Sequence, residues 1–88
     1  MQIKTHKKFD KNYKRRIVNN PTLVKHFEER LQLFMAGKKD YPLNDHPLTG
    51  NMKGKRAFSI TYDIRVVYVQ LEHCCKFIDI GTHNQVYK

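Results

Sequence analysis

The apolar positions of this chain fall into two regimes. Phe9, Tyr13 and Ile17 recur every four residues, which predicts a helix over residues 7–18 with one apolar face. Lys8, Lys11, Lys14 and Arg15 occupy its other faces. Asn19-Asn20-Pro21 stops that helix, and Pro21 suits the first position of a second one. Leu23, Val24, Phe27, Leu31 and Phe34 then form a stripe over residues 22–35, with Glu28, Glu29 and Arg30 on the outer side. Gly37 supplies a C-terminal cap. Two helices joined by so short a turn must pack as an antiparallel hairpin. Beyond residue 56 the period changes. Residues 57–62, 64–71 and 74–80 alternate or run apolar, and are separated only by Asp63 and by Glu72-His73, which predicts an antiparallel meander. Residues 2–5, with Ile3 between polar neighbours, can add one more strand.

Between the two regimes, residues 38–50 read as a loop held by Pro42 and Pro47, with Tyr41, Leu43 and Leu48 as apolar pegs. A basic loop over residues 51–56 follows. The order is β-α-α-β-β-β: an α+β fold in which the helical hairpin covers one face of a small, mainly antiparallel sheet. The other face is left partly open. No repeat, low-complexity tract or composition break divides the chain, so residues 1–88 read as one domain.

Charge changes the picture more than composition does. Seventeen Lys and Arg against eight Asp and Glu give a formal net charge of +9. Such a surplus draws in polyanions, and a nucleic acid or an acidic protein partner fits it. No stretch reaches the roughly 18 apolar residues of a membrane helix, and the N-terminus lacks an apolar signal core, which points to a cytoplasmic protein. The only cysteines, Cys74 and Cys75, are adjacent in a strand, so two buried, reduced thiols are expected rather than a disulfide.

Several side chains have chemistry to offer. His46 lies in a loop stiffened by Pro47 and Gly50, and an imidazole there can take up and return a proton near neutral pH. An isolated loop histidine is also a common surface residue. His83 follows a glycine just past the last strand, where it serves equally as a terminus cap. Asp63 sits in a turn, a place Asp often occupies for the turn itself. Arg65 heads an apolar strand, an odd place for a charge, and its guanidinium can hold a phosphate with two hydrogen bonds. Tyr87 offers a ring for stacking or a phenol. Lys53, Lys55, Arg56 and Ser59, in and after the basic loop, are candidates for RNA contact. His6, His26 and His73 have no comparable context. The histidine spacing matches no metal-ligand pattern, and neither a Gly-rich phosphate loop nor a serine nucleophile elbow occurs, so no metal or other cofactor is expected.

Asp45-His46-Pro47-Leu48, Lys53-Gly54, Asp63-Ile64-Arg65-Val66-Val67-Tyr68, Gly81-Thr82-His83 and the terminal aromatic together resemble the RelE/ParE superfamily of bacterial toxins, in its YafQ-like branch. The similarity spans essentially the whole chain. It implies a toxin of a type II toxin–antitoxin pair: a ribosome-dependent, metal-independent messenger-RNA endonuclease silenced by a cognate antitoxin. By that resemblance His46 and His83 match the acid–base pair, Asp63 the acidic site residue, Arg65 the arginine at the scissile phosphate, and Tyr87 the terminal aromatic. One position departs: the branch usually carries a further histidine where this chain has Ser59, which cannot move a proton as imidazole does. Two other readings compete. One is a ParE-like poison of DNA gyrase that cleaves nothing; the other is a non-catalytic, basic RNA-binding domain.

Overall fold

Both periodicities build the elements they predict. The computed structural model describes residues 2–87, with β1 Gln2–Thr5, α1 Lys7–Arg16, α2 Pro21–Met35, β2 His46–Pro47, β3 Arg56–Ser59, β4 Ile64–Gln70, β5 Cys74–Thr82 and α3 His83–Val86. A 3₁₀ turn covers Gly50–Met52. The sheet order is β1-β5-β4-β3-β2, with β1 parallel to β5 and every other pair antiparallel.

Capping fixes where the helices begin and end. His6 Nδ1 accepts from the Lys8 backbone N–H at 3.0 Å, and Asn20 Oδ1 accepts from Thr22 and Leu23 at 3.1 and 3.2 Å. Pro21 takes the first helical position, where its missing N–H costs nothing. At the far end Gly37, at φ +82°, lets the chain turn left-handed while its N–H and that of Lys38 reach back to Phe34 and Leu33 carbonyls. α1 stops at Arg16, two residues short of the sequence expectation, because the Ile17 and Val18 N–H groups both turn back to the Tyr13 carbonyl.

The hairpin packs on one face of the sheet. Phe34 stacks on Phe58 with ring centroids 4.6 Å apart, and meets Tyr68 and Phe77 edge-on at 5.0 and 5.7 Å. Tyr13 of α1 meets Phe27 of α2 at 5.1 Å, closing the hairpin. Ile17, Leu43, Ile60, Val66 and Ile80 fill the space around these rings. A β-bulge between β4 and β5, at Val67/Tyr68, breaks the strict alternation of β5. Phe77 and Ile80, three residues apart, therefore both reach the helix-side core.

A carboxylate also sits under the helices. Asp79 is 2% exposed; its Oδ1 accepts from Asn12 at 2.7 Å and from the Ile80 N–H at 2.8 Å. Arg16 reaches the same oxygen at 3.4 Å and donates to the Ile80 carbonyl at 2.9 Å. Burying a charge is tolerable only with such partners. The result is a polar latch between α1 and β5.

The structure corrects the sequence reading in several places. The strand expected over residues 57–62 ends at Ser59, because Thr61 Oγ1 accepts the Asp63 and Ile64 N–H groups and bends the chain. Tyr62 is thereby fully exposed, and Tyr41, expected as an apolar peg, is 87% exposed. Of the two thiols only Cys75 is buried, where its thiol contacts Gln70 Oε1; Cys74 is half-buried. The sheet face opposite the hairpin is also partly covered. Val86 of α3 packs there on Ala57 and Val67, with Leu48, Met52 and Tyr87 around them.

Because Phe34 joins the hairpin to three rings of the sheet, Phe34→Ala is expected to cost about 3–5 kcal/mol of stability by urea unfolding. A loss below about 1 kcal/mol would contradict this account of the core.

Candidate active site

The site starts from a second buried carboxylate. The Asp45 side chain is fully buried. Arg56 Nε donates to its Oδ1 at 3.0 Å, the Tyr68 hydroxyl donates to its Oδ2 at 2.6 Å, and Lys39 Nζ lies 3.6 Å from Oδ2. Arg56 Nε is also 3.1 Å from the Tyr68 hydroxyl oxygen, closing the knot. Arg56 and Tyr68 can meet there because they are direct cross-strand partners between β3 and β4. Burial, and the hydrogen bond to Asp45, raise the Tyr68 phenol well above its ordinary value. Burial opposes the Arg56 charge, but its bonds to Tyr68 and Asp45 outweigh that and hold the guanidinium protonated.

This knot anchors the chain one residue before His46. His46 and Pro47 then pair with Ala57 and Arg56 as the edge strand β2, so the predicted loop is pinned to the sheet. The imidazole itself is exposed, and its Nδ1 lies 2.8 Å from the Asn44 carbonyl oxygen. A carbonyl only accepts, so Nδ1 carries the hydrogen and the Nε2 lone pair of the neutral ring faces outward.

His83 is fixed from the other end of the sheet. Thr82 caps α3: its hydroxyl accepts from the Gln85 N–H at 3.3 Å, and Gln85 Oε1 accepts from the Thr82 N–H at 2.8 Å, a reciprocal capping box. Gly81 is buried just before it, and a Cβ there would sit 2.6 Å from Gln85 Oε1 and 2.7 Å from Arg16 Nη1. Only glycine lets the capping box and the α1 latch close together. On α3, His83 and Tyr87 stack one turn apart, edge to face at 4.6 Å. The Arg65 guanidinium carbon lies 5.6 Å from the Tyr87 ring centroid, within cation–π range.

His46, Arg65, His83 and Tyr87 line one cleft of about 350 Å³, with Leu48, Thr49 and Met52 among its walls. Arg65 Nε and the Tyr87 hydroxyl are buried and have no hydrogen-bond partner among the described residues. The cleft thus joins two imidazoles, a cation and a phenol. Four of the five candidate catalytic residues come together. Asp63 does not: it is exposed in the β3–β4 turn and lies outside the cleft. Of the candidate RNA contacts, Lys53 is exposed and Lys55 half-buried in the loop, while Arg56 belongs to the Asp45 knot. Ser59 pairs with Arg65 across β3 and β4 and lines a neighbouring cleft that shares His46 and Arg65. Sequence reading missed Asp45, Tyr68, Arg16, Asp79 and Gln85. The signal for Asp79 was the one carboxylate of a mostly apolar strand; that for Tyr68 was a core phenol, whose hydroxyl needs a partner. Among the described residues no three His, Cys, Asp or Glu side chains converge as a metal-binding group.

A helical hairpin on one face of a five-stranded sheet is the architecture of RelE-type bacterial toxins. The sequence matches the family described as bacterial toxin of type II toxin–antitoxin system, YafQ, over residues 1–88, and the chain belongs to that family. The fold is similar to that of YafQ from E. coli strain BL21(DE3), at a TM-score of 0.81 with 20% identity over 99% of this chain and 98% of that one. A metal-bound toxin from Helicobacter pylori matches at 0.80 and 28% identity, over 98% of both chains. The E. coli DinJ-YafQ complex matches at 0.79 and 21% identity, over 99% of this chain and 98% of that one. A search of curated proteins finds no significant match.

The Tyr68 phenol gives the knot a pH signature. In the unfolded chain it titrates near its ordinary value of 10.0, whereas in the fold it is raised. Its contribution is therefore present below about pH 10 and is lost as the pH rises toward the folded value. Urea unfolding should show wild type losing stability between about pH 9 and about pH 11 more steeply than Tyr68→Phe. Parallel slopes would contradict the knot.

Proposed function

We propose that this type II toxin is a ribosome-dependent messenger-RNA endoribonuclease that acts by general acid–base catalysis through the RNA 2′-hydroxyl. The observation that carries this reading is the placement of His46, Arg65, His83 and Tyr87 around one cleft. His46, with Nδ1 committed to the Asn44 carbonyl, has Nε2 free to take the proton from the 2′-hydroxyl. The 2′-oxygen then attacks phosphorus, the bond to the 5′-oxygen breaks, and His83 gives that oxygen its proton. The products are a 2′,3′-cyclic phosphate and a 5′-hydroxyl, so no metal-activated water is needed. Arg65, whose buried Nε has no hydrogen-bond partner among the described residues, supplies positive charge and donors to the phosphorane. Tyr87 holds the His83 and Arg65 side chains against its ring. Asp63 stands outside the cleft, in the turn that leads into Arg65, and takes no part in the proton transfers.

The net charge of +9 suits two partners, the ribosome with its messenger RNA and an acidic antitoxin. DinJ held on YafQ is the precedent for the second. Exposed Lys7, Lys8, Lys11, Lys14 and Arg15 along α1 suit an acidic antitoxin segment that orders on binding. Both partners would meet the protein in the cytoplasm.

Growth arrest with mapped messenger-RNA ends tests the reading. Induced wild type should arrest growth and create new 5′ ends at a fixed place within codons. His46→Ala and His83→Ala should each lower cleavage by about 10²–10⁴-fold while keeping the wild-type melting temperature to within a few degrees. Arrest that persists in both variants without new ends would overturn the nuclease reading.

A further inference from the structure

We infer that the cleft on the far side of His46 is a second nucleotide subsite, which binds the base of single-stranded RNA next to the cleaved linkage. It rests on the reading of the His46–Arg65 cleft as the cleavage site. This neighbouring cleft encloses about 500 Å³, enough for a nucleotide. His46 and Arg65 line both clefts, so the two adjoin across these side chains. A phosphate held at Arg65 would leave one flanking nucleoside in the Tyr87 cleft and the other in this one.

The walls of the second cleft suit a base. Tyr41 and Tyr62 both line it and, among the described residues, are the most exposed large apolar side chains, at 87% and 101%. Neither ring is buried in the core, so neither owes its place to packing. Two amphipathic rings at the mouth of a cationic cleft match the stacking platforms of proteins that bind single strands. Arg30 reaches the same cleft from α2, and its buried Nε has no hydrogen-bond partner among the described residues. Asn44, Ser59 and Thr61 add short polar groups that can read base edges. An acidic protein segment would use the arginines but has no need of two exposed rings in a groove continuous with His46. RNA is therefore the occupant the arrangement favours.

Fluorescence anisotropy with a labelled 2′-O-methyl hexanucleotide tests this, because that probe binds but offers no 2′-hydroxyl to cleave. Tyr41→Ala and Tyr62→Ala should each weaken binding by about 5- to 100-fold, the range for one lost base–aromatic stack. Tyr62→Phe should stay within about twofold of wild type, since the ring and not the hydroxyl does the stacking. Arg30→Gln should flatten the salt dependence by about one unit of slope if Arg30 meets a phosphate. Both rings lie on the surface, so these variants should melt as wild type does. Wild type that does not bind the probe, or Ala variants within about twofold of it, would overturn the subsite. So would Ala variants that bind RNA normally but escape neutralisation by a co-expressed antitoxin, which would make the cleft a protein-docking surface. Because the probe cannot be cut, tyrosine-dependent binding in a protein that never cleaves messenger RNA would remove the nuclease reading and leave the subsite standing.

Discussion

The site depends on a carboxylate that the fold keeps out of water. The Asp45 side chain is fully buried between an arginine, a lysine and a phenol, and each of its oxygens accepts a hydrogen bond. A buried charge without partners would be severely destabilising, so the loop bearing it can settle in only one place. That place makes the next residue, His46, the first residue of an edge strand. The two hydrogen-bond donors, Arg56 and Tyr68, come from β3 and β4 in direct register, so the central sheet dictates where the His46 loop lies. Fixing a side chain through a rigid neighbour is how a small protein holds a precise geometry.

The opposite wall of the cleft uses the same device at the other end of the chain. Asp79 ties α1 to β5, and Arg16, one of its partners, also holds the Ile80 carbonyl. The next residue is Gly81, whose lack of a side chain admits both Arg16 and Gln85. At the next residue, Thr82, the capping box sets the direction of α3, and with it His83 and Tyr87. The helical hairpin thus bears on the His83 wall of the cleft through the sheet. Its apolar face builds the core, and its polar edge sets the end of β5.

Much of this was legible in the residues. The four-residue spacing of Phe9, Tyr13 and Ile17, the Asn20-Pro21 break and the meander from Ala57 to Ile80 gave both helices, the central strands and the α+β architecture. Arg65 stood out as a charge in an apolar strand, and it does reach the cleft. What escaped was non-local or very short. β2 is two residues long and exists because of the Asp45 knot, and α3 is four residues long and exists because of a capping box. Neither carries a periodicity that a window could detect. The exposure of Tyr41 and Tyr62 was hidden for a different reason. Alternation assigned Tyr62 to a strand, whereas the bend held by the Thr61 hydroxyl ends the ladder at Ser59, three residues earlier. Asp63 carried the motif but lies on the outside of the turn, which its chain position alone could not reveal.

The central claim is that the cleft makes the RNA's own 2′-hydroxyl the nucleophile. It is tested most directly on ribosomes programmed with a messenger RNA that carries a single 2′-deoxynucleotide at the mapped cut position. The account predicts no cleavage at that position, unchanged cleavage of the all-ribose message, and a 2′,3′-cyclic phosphate on the product. Cleavage at the deoxy position, leaving a 3′-hydroxyl or a 5′-phosphate, would contradict it and require an external nucleophile in place of the proton relay between His46 and His83.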